Sequence, residues 1–225
     1  GKTLAEGIGE TTRAAQIFDF FAGEVLRLTG VAVASVRPGV GVEVTREAVG
    51  VVGIITPWNF PIAIPAWKLA PALCYGNTVV FKPADLVPGS AWALVDILQR
   101  AGLPDGVLNL VMGRGSVVGQ AIAQSADVDA LTFTGSVSTG TALAMESAKL
   151  MRKSQMEMGG KNPFVVLADA DLDVAVDCVT QGAFYSTGQR WTASSRIIVE
   201  DAIHDQLLAV LSDRINSLKV GDELD

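Results

Sequence analysis

Apolar and polar positions along this chain follow two periods, and the switches between them predict most of its elements. Over residues 11–28, Ala14, Ile17, Phe18, Phe21 and Val25 recur at helical spacing, giving an amphipathic helix that reads as cut off at its start and is stopped by Gly30. Residues 31–49 alternate apolar with polar around Pro38-Gly39, the pattern of a strand pair. From there short apolar runs alternate with helical patterns. Strands are predicted over 51–56, 77–82, 107–112 and 130–134, and helices over 62–75, 89–101, 116–124 and 137–150. A strand over 164–167, a helix over 172–186, a strand over 196–200 and a helix over 202–218 follow. Strands that alternate with helices pair in parallel, with helices covering both faces, so the fold class is α/β with a doubly wound sheet. A glycine pair, Gly159-Gly160, marks a soft boundary between residues 1–158, which carry the strand-pair excursion, and residues 159–225.

Composition narrows the functional classes. With 225 residues, 49% hydrophobic content and a mean hydropathy of +0.38, the chain has ample material for a buried core. A net charge of −7 argues against a nucleic-acid partner, which needs a basic face. Two cysteines, Cys74 and Cys178, make no disulfide framework and read as free thiols in a reducing compartment, so the expected location is the cytoplasm. No apolar run suits a membrane span, and the single histidine, His204, gives no basis for a metal site.

Several segments carry candidate chemistry, and each also has a plain structural reading. Thr56-Pro57-Trp58-Asn59-Phe60-Pro61 follows a predicted strand directly, where ligands collect in a doubly wound sheet. Its prolines would present the Asn59 amide, a potential oxyanion donor, although on the hexapeptide alone a rigid turn with an Asx hydrogen bond is the better reading. Lys82-Pro83-Ala84-Asp85 ends the next strand with a cation and a carboxylate suited to ribose hydroxyls, or simply with a turn. Gly113-Arg114-Gly115-Ser116-Val117-Val118-Gly119 and Phe133-Thr134-Gly135-Ser136 both lead from strand to helix, where backbone N–H groups receive phosphate or merely cap. Met156-Glu157-Met158-Gly159-Gly160-Lys161 sets a carboxylate among apolar neighbours, a candidate general base or an ion-pair partner.

The order of Pro57-Trp58-Asn59-Phe60-Pro61, Lys82-Pro83-Ala84-Asp85, Phe133-Thr134-Gly135-Ser136, Glu157-Met158-Gly159-Gly160-Lys161 and Gly188-Gln189-Arg190 resembles the aldehyde dehydrogenase superfamily over essentially the whole chain. That resemblance implies a Rossmann-like cofactor domain followed by the start of an α/β catalytic domain, NAD or NADP as cofactor, and oxidation of an aldehyde, such as a short semialdehyde, to a carboxylic acid through a cysteine thioester. It implies Asn59 at the oxyanion, Glu157 as activator of water, and Lys82 and Asp85 on the adenine ribose. Gly115, Gly119 and Ser136 would line the adenine–pyrophosphate site. Ile55, Thr56, Pro57, Trp58, Ala84, Phe133, Gly135, Met158 and Gly159 complete the implied cofactor contacts. A homodimer or homotetramer is implied for the full-length form, since family members extend beyond both ends of this sequence. Two positions depart from the pattern. Trp191 stands where the family has its nucleophilic cysteine, and an indole offers no accessible anion. Asp85 stands where NAD-preferring members carry a longer glutamate, which leaves room for a 2′-phosphate.

Overall fold

A computed structural model of the chain describes residues 2–222. It divides into two units, one running Gly9–Glu157 and the other joining Gly1–Ile8 to Met158–Asp225. In chain order the elements are α1 (Leu4–Glu24), β1 (Val31–Ala34), β2 (Gly41–Val44), β3 (Val51–Ile55), α2 (Ala63–Cys74), β4 (Thr78–Lys82), α3 (Pro88–Arg100) and β5 (Leu108–Leu110). They continue with α4 (Gln120–Gln124), β6 (Ala130–Gly135), α5 (Val137–Lys149), β7 (Lys153–Met158), β8 (Asn162–Val166), α6 (Leu172–Phe184), β9 (Ser194–Val199) and α7 (His204–Asn216).

Helix α1 starts earlier than its apolar spacing predicts, and within the chain. The Glu6 N–H donates to Thr3 Oγ1 at 3.3 Å while the Thr3 N–H donates to Glu6 Oε2 at 3.3 Å, a reciprocal capping box. The signal was present as Thr-x-x-Glu, but the turn it caps is too exposed to show periodicity. Two further differences concern irregular elements. Residues 116–124 do not form one α-helix: Gly115–Gly119 wind as a π-turn that runs into the short α4. Residues 153–158, left without an element by the apolar pattern, form the strand β7.

The central sheet has the order β5-β4-β3-β6-β7, with β3 parallel to β4 and β6, and β4 parallel to β5. Alternation along β3 decides its layering. Val52 and Ile54 pack with Leu69 of α2 and with Ala91, Leu94 and Val95 of α3. Ile55 packs on the opposite side with Ile122 and Ala123 of α4 and Leu143 of α5. Helices therefore cover both faces, the doubly wound arrangement. The β1/β2 hairpin is antiparallel, with Val31 opposite Val44 and Ala34 opposite Gly41.

Gly53, at the middle of β3, lets α4 approach. A Cβ there would lie 2.6 Å from Ile122 Cγ2, 3.1 Å from Leu131 Cδ1 and 3.2 Å from Val128 Cγ1. Because Ile122 is branched at Cβ, relief requires moving the helix rather than a rotamer. Gly53→Ala is expected to destabilise the Gly9–Glu157 unit by about 1–3 kcal/mol, the usual effect of overpacking. Chemical denaturation checks it, and a midpoint equal to that of the wild type would refute the close-packing argument.

In the second unit β8 pairs in parallel with β9. Val166 packs with Ala175, Val176 and Val179 of α6 and Leu207 and Leu211 of α7. Asp171 starts α6 by accepting the Val174 N–H at 3.1 Å. Among the described residues no helix is long and apolar enough to cross a membrane.

Candidate active site

Parallel register gathers segments that are distant in sequence. Ile55 pairs with Lys82 on one side and with Phe133 on the other, so β4, β3 and β6 end at one level. The chain leaves β3 first toward β4 and β5, then returns to the other side of β3 with β6. The β3/β6 boundary is therefore the switch point, where doubly wound sheets open a crevice at their carboxyl ends. Its rim is built from Thr56–Pro61, Lys82–Asp85 and Gly135–Ser136.

Each rim segment is fixed locally. The Thr56 N–H donates to Lys82 O at 3.2 Å, which extends the β3/β4 ladder by one residue and ties the two loops together. Thr56 is buried, and its Oγ1 has no hydrogen-bond partner, an exception among buried hydroxyls that leaves a polar atom for a polar ligand. Lys82 is 3% exposed, and its Nζ donates to Pro83 O at 2.8 Å. Burial pushes the Lys82 ammonium pKa down from its ordinary value, and the Asp85 carboxylate partly offsets this. Asp85 itself is exposed and Ala84 half-buried.

Phe133-Thr134-Gly135-Ser136 shows why glycine stands at its third position. A Cβ on Gly135 would fall 2.1 Å from Phe133 Cζ, so the ring lies over the bare glycine. Ser136 then caps α5, its Oγ accepting the Thr139 N–H at 3.3 Å. Thirteen residues of helix behind it give a dipole and backbone donors suited to an anion. The π-turn Gly115–Gly119 approaches from the next connection: a Cβ on Gly119 would lie 3.8 Å from Ile55 Cδ1. Such turns recur at functional sites. Pro57 and Asn59 are half-buried and Trp58 is 44% exposed. The ring of donors, the unpartnered Thr56 hydroxyl and the α5 N-terminus fit a dinucleotide carrying ribose hydroxyls and a pyrophosphate.

Glu157 closes β7 within the same unit, and its surroundings hold residues that the sequence reading missed. Lys68 of α2 is 8% exposed and donates from Nζ to Thr132 Oγ1 at 2.7 Å and to Gln155 Oε1 at 2.9 Å. The Gln155 Nε2 donates to Glu157 Oε1 at 2.8 Å. Burial lowers the Lys68 pKa from 10.5 to about 8, with the Glu157 carboxylate opposing the shift. The available signal was a single charge, Lys68, inside the otherwise apolar helix Ala63–Cys74. Glu10 of α1 was missed as well: its Oε1 accepts the N–H groups of Ile62 and Ala63 at 2.8 and 3.0 Å, directly after the Asn59 turn.

Met158, Gly159 and Trp191 belong to the other unit. There Ser186, Thr187 and Gly188 have φ of 52°, 52° and 67°, three successive left-handed residues before the Trp191 segment. Two of them are not glycine, a costly backbone that persists where the surroundings enforce it. Asn162 Nδ2 donates to the Trp191 carbonyl at 2.5 Å and to the Ala193 carbonyl at 3.3 Å. The Arg190 guanidinium donates to Gln181 O at 2.9 Å and Tyr185 O at 3.3 Å, at the end of α6. Ser186 Oγ donates to Glu6 Oε1 at 2.6 Å.

A doubly wound parallel sheet with a capped helix start and a buried lysine at its carboxyl edge places this chain among the α/β proteins. Comparison with known proteins then takes the assignment further. The aldehyde dehydrogenase family model matches residues 1–225. The chain is 48% identical over 224 residues to alpha-ketoglutaric semialdehyde dehydrogenase of Bacillus subtilis, covering 100% of this chain and 46% of that protein. It is 42% identical over 222 residues to betaine aldehyde dehydrogenase of the same organism, covering 99% and 45%. The crystal structure of betaine aldehyde dehydrogenase from Staphylococcus aureus in complex with NAD+ matches with a TM-score of 0.97 at 36% identity, over 100% of this chain and 45% of that one. An NADP-dependent enzyme from E. coli matches with a TM-score of 0.97 at 39% identity, over 100% and 47%. This chain belongs to the aldehyde dehydrogenase family, and it spans about half the length of the curated relatives it matches.

Proposed function

We propose that this protein is built for NAD(P)-dependent oxidation of a short semialdehyde, and that the sequence as it stands lacks the nucleophilic step. The observation that carries the reading is the alignment of Ile55, Lys82 and Phe133 at the carboxyl ends of three adjacent strands. Together with the buried Thr56 hydroxyl and the α5 N-terminus, it supports a dinucleotide site. Lys82 and Asp85 would hold the adenine ribose hydroxyls, and the α5 backbone donors with Ser136 would take the pyrophosphate. Gly115, Gly119, Ala84, Phe133 and Gly135 would line the adenine end, with Ile55, Thr56, Pro57 and Trp58 along the remainder. A cofactor held by these residues would supply hydride-accepting chemistry. Asn59 would donate its amide N–H to the oxyanion, and Glu157 would take a proton from the hydrolytic water. Residues 1–158 would form the cofactor domain and residues 159–225 the beginning of the catalytic domain. A semialdehyde substrate is supported by similarity to the alpha-ketoglutaric semialdehyde enzyme. A cytoplasmic homodimer or homotetramer is the matching assembly, supported by the exposed valines Val31, Val33, Val42 and Val44 of the β1/β2 hairpin.

Trp191 favours a second reading, a nucleotide-binding member without catalysis, because its indole cannot form the thioester. Trp191→Cys in a full-length context separates the two. Aldehyde oxidation by the variant supports the enzyme, while cofactor binding without turnover supports the binding protein. Calorimetric titration of this chain is expected to give saturable binding of NAD, NADP or both. Asp85→Glu is expected to weaken NADP relative to NAD by about tenfold, roughly 1.4 kcal/mol. Equal rejection of NADP by the wild type and Asp85→Glu removes the NADP reading. No binding of either cofactor by a chain that unfolds cooperatively removes the dinucleotide site.

A further inference from the structure

Gln155 and Glu157 stand two residues apart on β7, so the pleat turns both side chains to the same face of the sheet. β6, the neighbouring strand, presents Thr132 on that face, and α2 delivers Lys68 to it. An ammonium has donors only, so the Gln155 group that meets Lys68 Nζ at 2.9 Å must be the carbonyl oxygen. The Thr132 hydroxyl accepts from Lys68 at 2.7 Å and donates to the same Gln155 Oε1 at 2.5 Å. Two donors on one oxygen leave the amide a single orientation, with Nε2 turned toward Glu157 Oε1 at 2.8 Å.

We propose that Gln155 is the positioning residue for the Glu157 carboxylate: its amide, locked by Lys68 and Thr132, aims one fixed N–H donor at Oε1. The proposal rests on the reading of Glu157 as general base. Glu157 is exposed, and a carboxylate on a flexible stem would otherwise sample several rotamers. With Oε1 held, the carboxylate keeps one oxygen for a water molecule and one in the network. Lys68 then influences Glu157 in two ways, through its charge and through the amide orientation it enforces.

The test is an NMR measurement, in this chain, of the three-bond couplings that report the Glu157 χ1 torsion, assigned by the signals lost in Glu157→Gln. Gln155→Leu removes the donor and is expected to replace a single Glu157 rotamer with couplings averaged over several. Gln155→Glu replaces the donor with a second carboxylate and is expected to average them as well. Gln155 is an exposed position on an edge strand, and the unfolding midpoint of each variant reports whether the fold is retained. Identical Glu157 couplings in the wild type and both variants would overturn the proposal. In a full-length Trp191→Cys background, Gln155→Leu is expected to lower kcat while KM stays unchanged. A full-length Trp191→Cys protein without turnover would overturn the general-base reading alone, and the Glu157 couplings would still decide whether Gln155 holds Glu157.

Discussion

Glu10→Ala is expected to destabilise the Gly9–Glu157 unit by about 3 kcal/mol, because it leaves the start of α2 without its cap. Nothing local can do that work: Ile62 occupies the N-cap position and makes no side-chain cap bond. Glu10, more than fifty residues earlier in the chain, accepts the Ile62 and Ala63 N–H groups on one oxygen at 2.8 and 3.0 Å, and it is 7% exposed. Removing the carboxylate strands two donors in a site that water reaches poorly, each costing about 1–3 kcal/mol. Glu10→Gln keeps an acceptor oxygen and loses the charge that complements the helix dipole, so it is expected to cost about 1 kcal/mol. For a chain of this size the Ala variant corresponds to a fall in Tm of roughly 10 °C by scanning calorimetry. A loss within about 0.5 kcal/mol, typical of a neutral surface change, would mean that α2 finds another cap. The consequence reaches the site, since the capped turn follows directly after Asn59.

Lys68→Met is expected to abolish a rise in stability between pH 8 and 10.5. In the folded chain the Lys68 ammonium releases its proton at about 8, against 10.5 in the unfolded reference. Below pH 8 both states hold the proton, and the folded state bears the full cost of a buried charge. Between the two values the unfolded chain binds more protons, so stability increases with pH; above 10.5 the cost is gone. At 1.36 kcal/mol for each pH unit, the change is on the order of 3 kcal/mol. Denaturant midpoints measured from pH 7 to 10.5 check it: the wild type should gain on Lys68→Met across the window. Parallel profiles would place the ammonium in contact with solvent. The Met side chain fills similar volume, and the Thr132 hydroxyl still meets Gln155 Oε1 after the substitution.

The α/β class and the family were legible because both depend on order along the chain. Alternating strands and helices predicted the parallel sheet, and five segments from Pro57 to Arg190 in one order identified the family that matches residues 1–225. Regular elements with strong apolar periodicity, such as β3, β4, α5 and α7, were found within a few residues. The misses share a cause. β7 carries Lys153, Gln155 and Glu157 on one face, so it offers no apolar run, although its polar–apolar alternation is a strand signal. The first turn of α1 is held by a capping box rather than by a buried stripe, and the π-turn at Gly115–Gly119 departs from the 3.6-residue period on which the helix prediction relied.

What the sequence determined by itself was the inventory: a Trp at position 191, an Asp at 85, glycines where a turn or a ring demands them, and apolar faces with the correct period. Those are local properties, set by each residue and its near neighbours. The tertiary structure alone decided which of them meet. Parallel register brought Ile55 between Lys82 and Phe133, α1 supplied the cap for α2, and a lone helical lysine became the anchor of Gln155 and Glu157. Hydrogen bonds across 52 or 87 residues leave no periodic trace along a chain, because their geometry exists only after the sheet has fixed where each strand and helix lies.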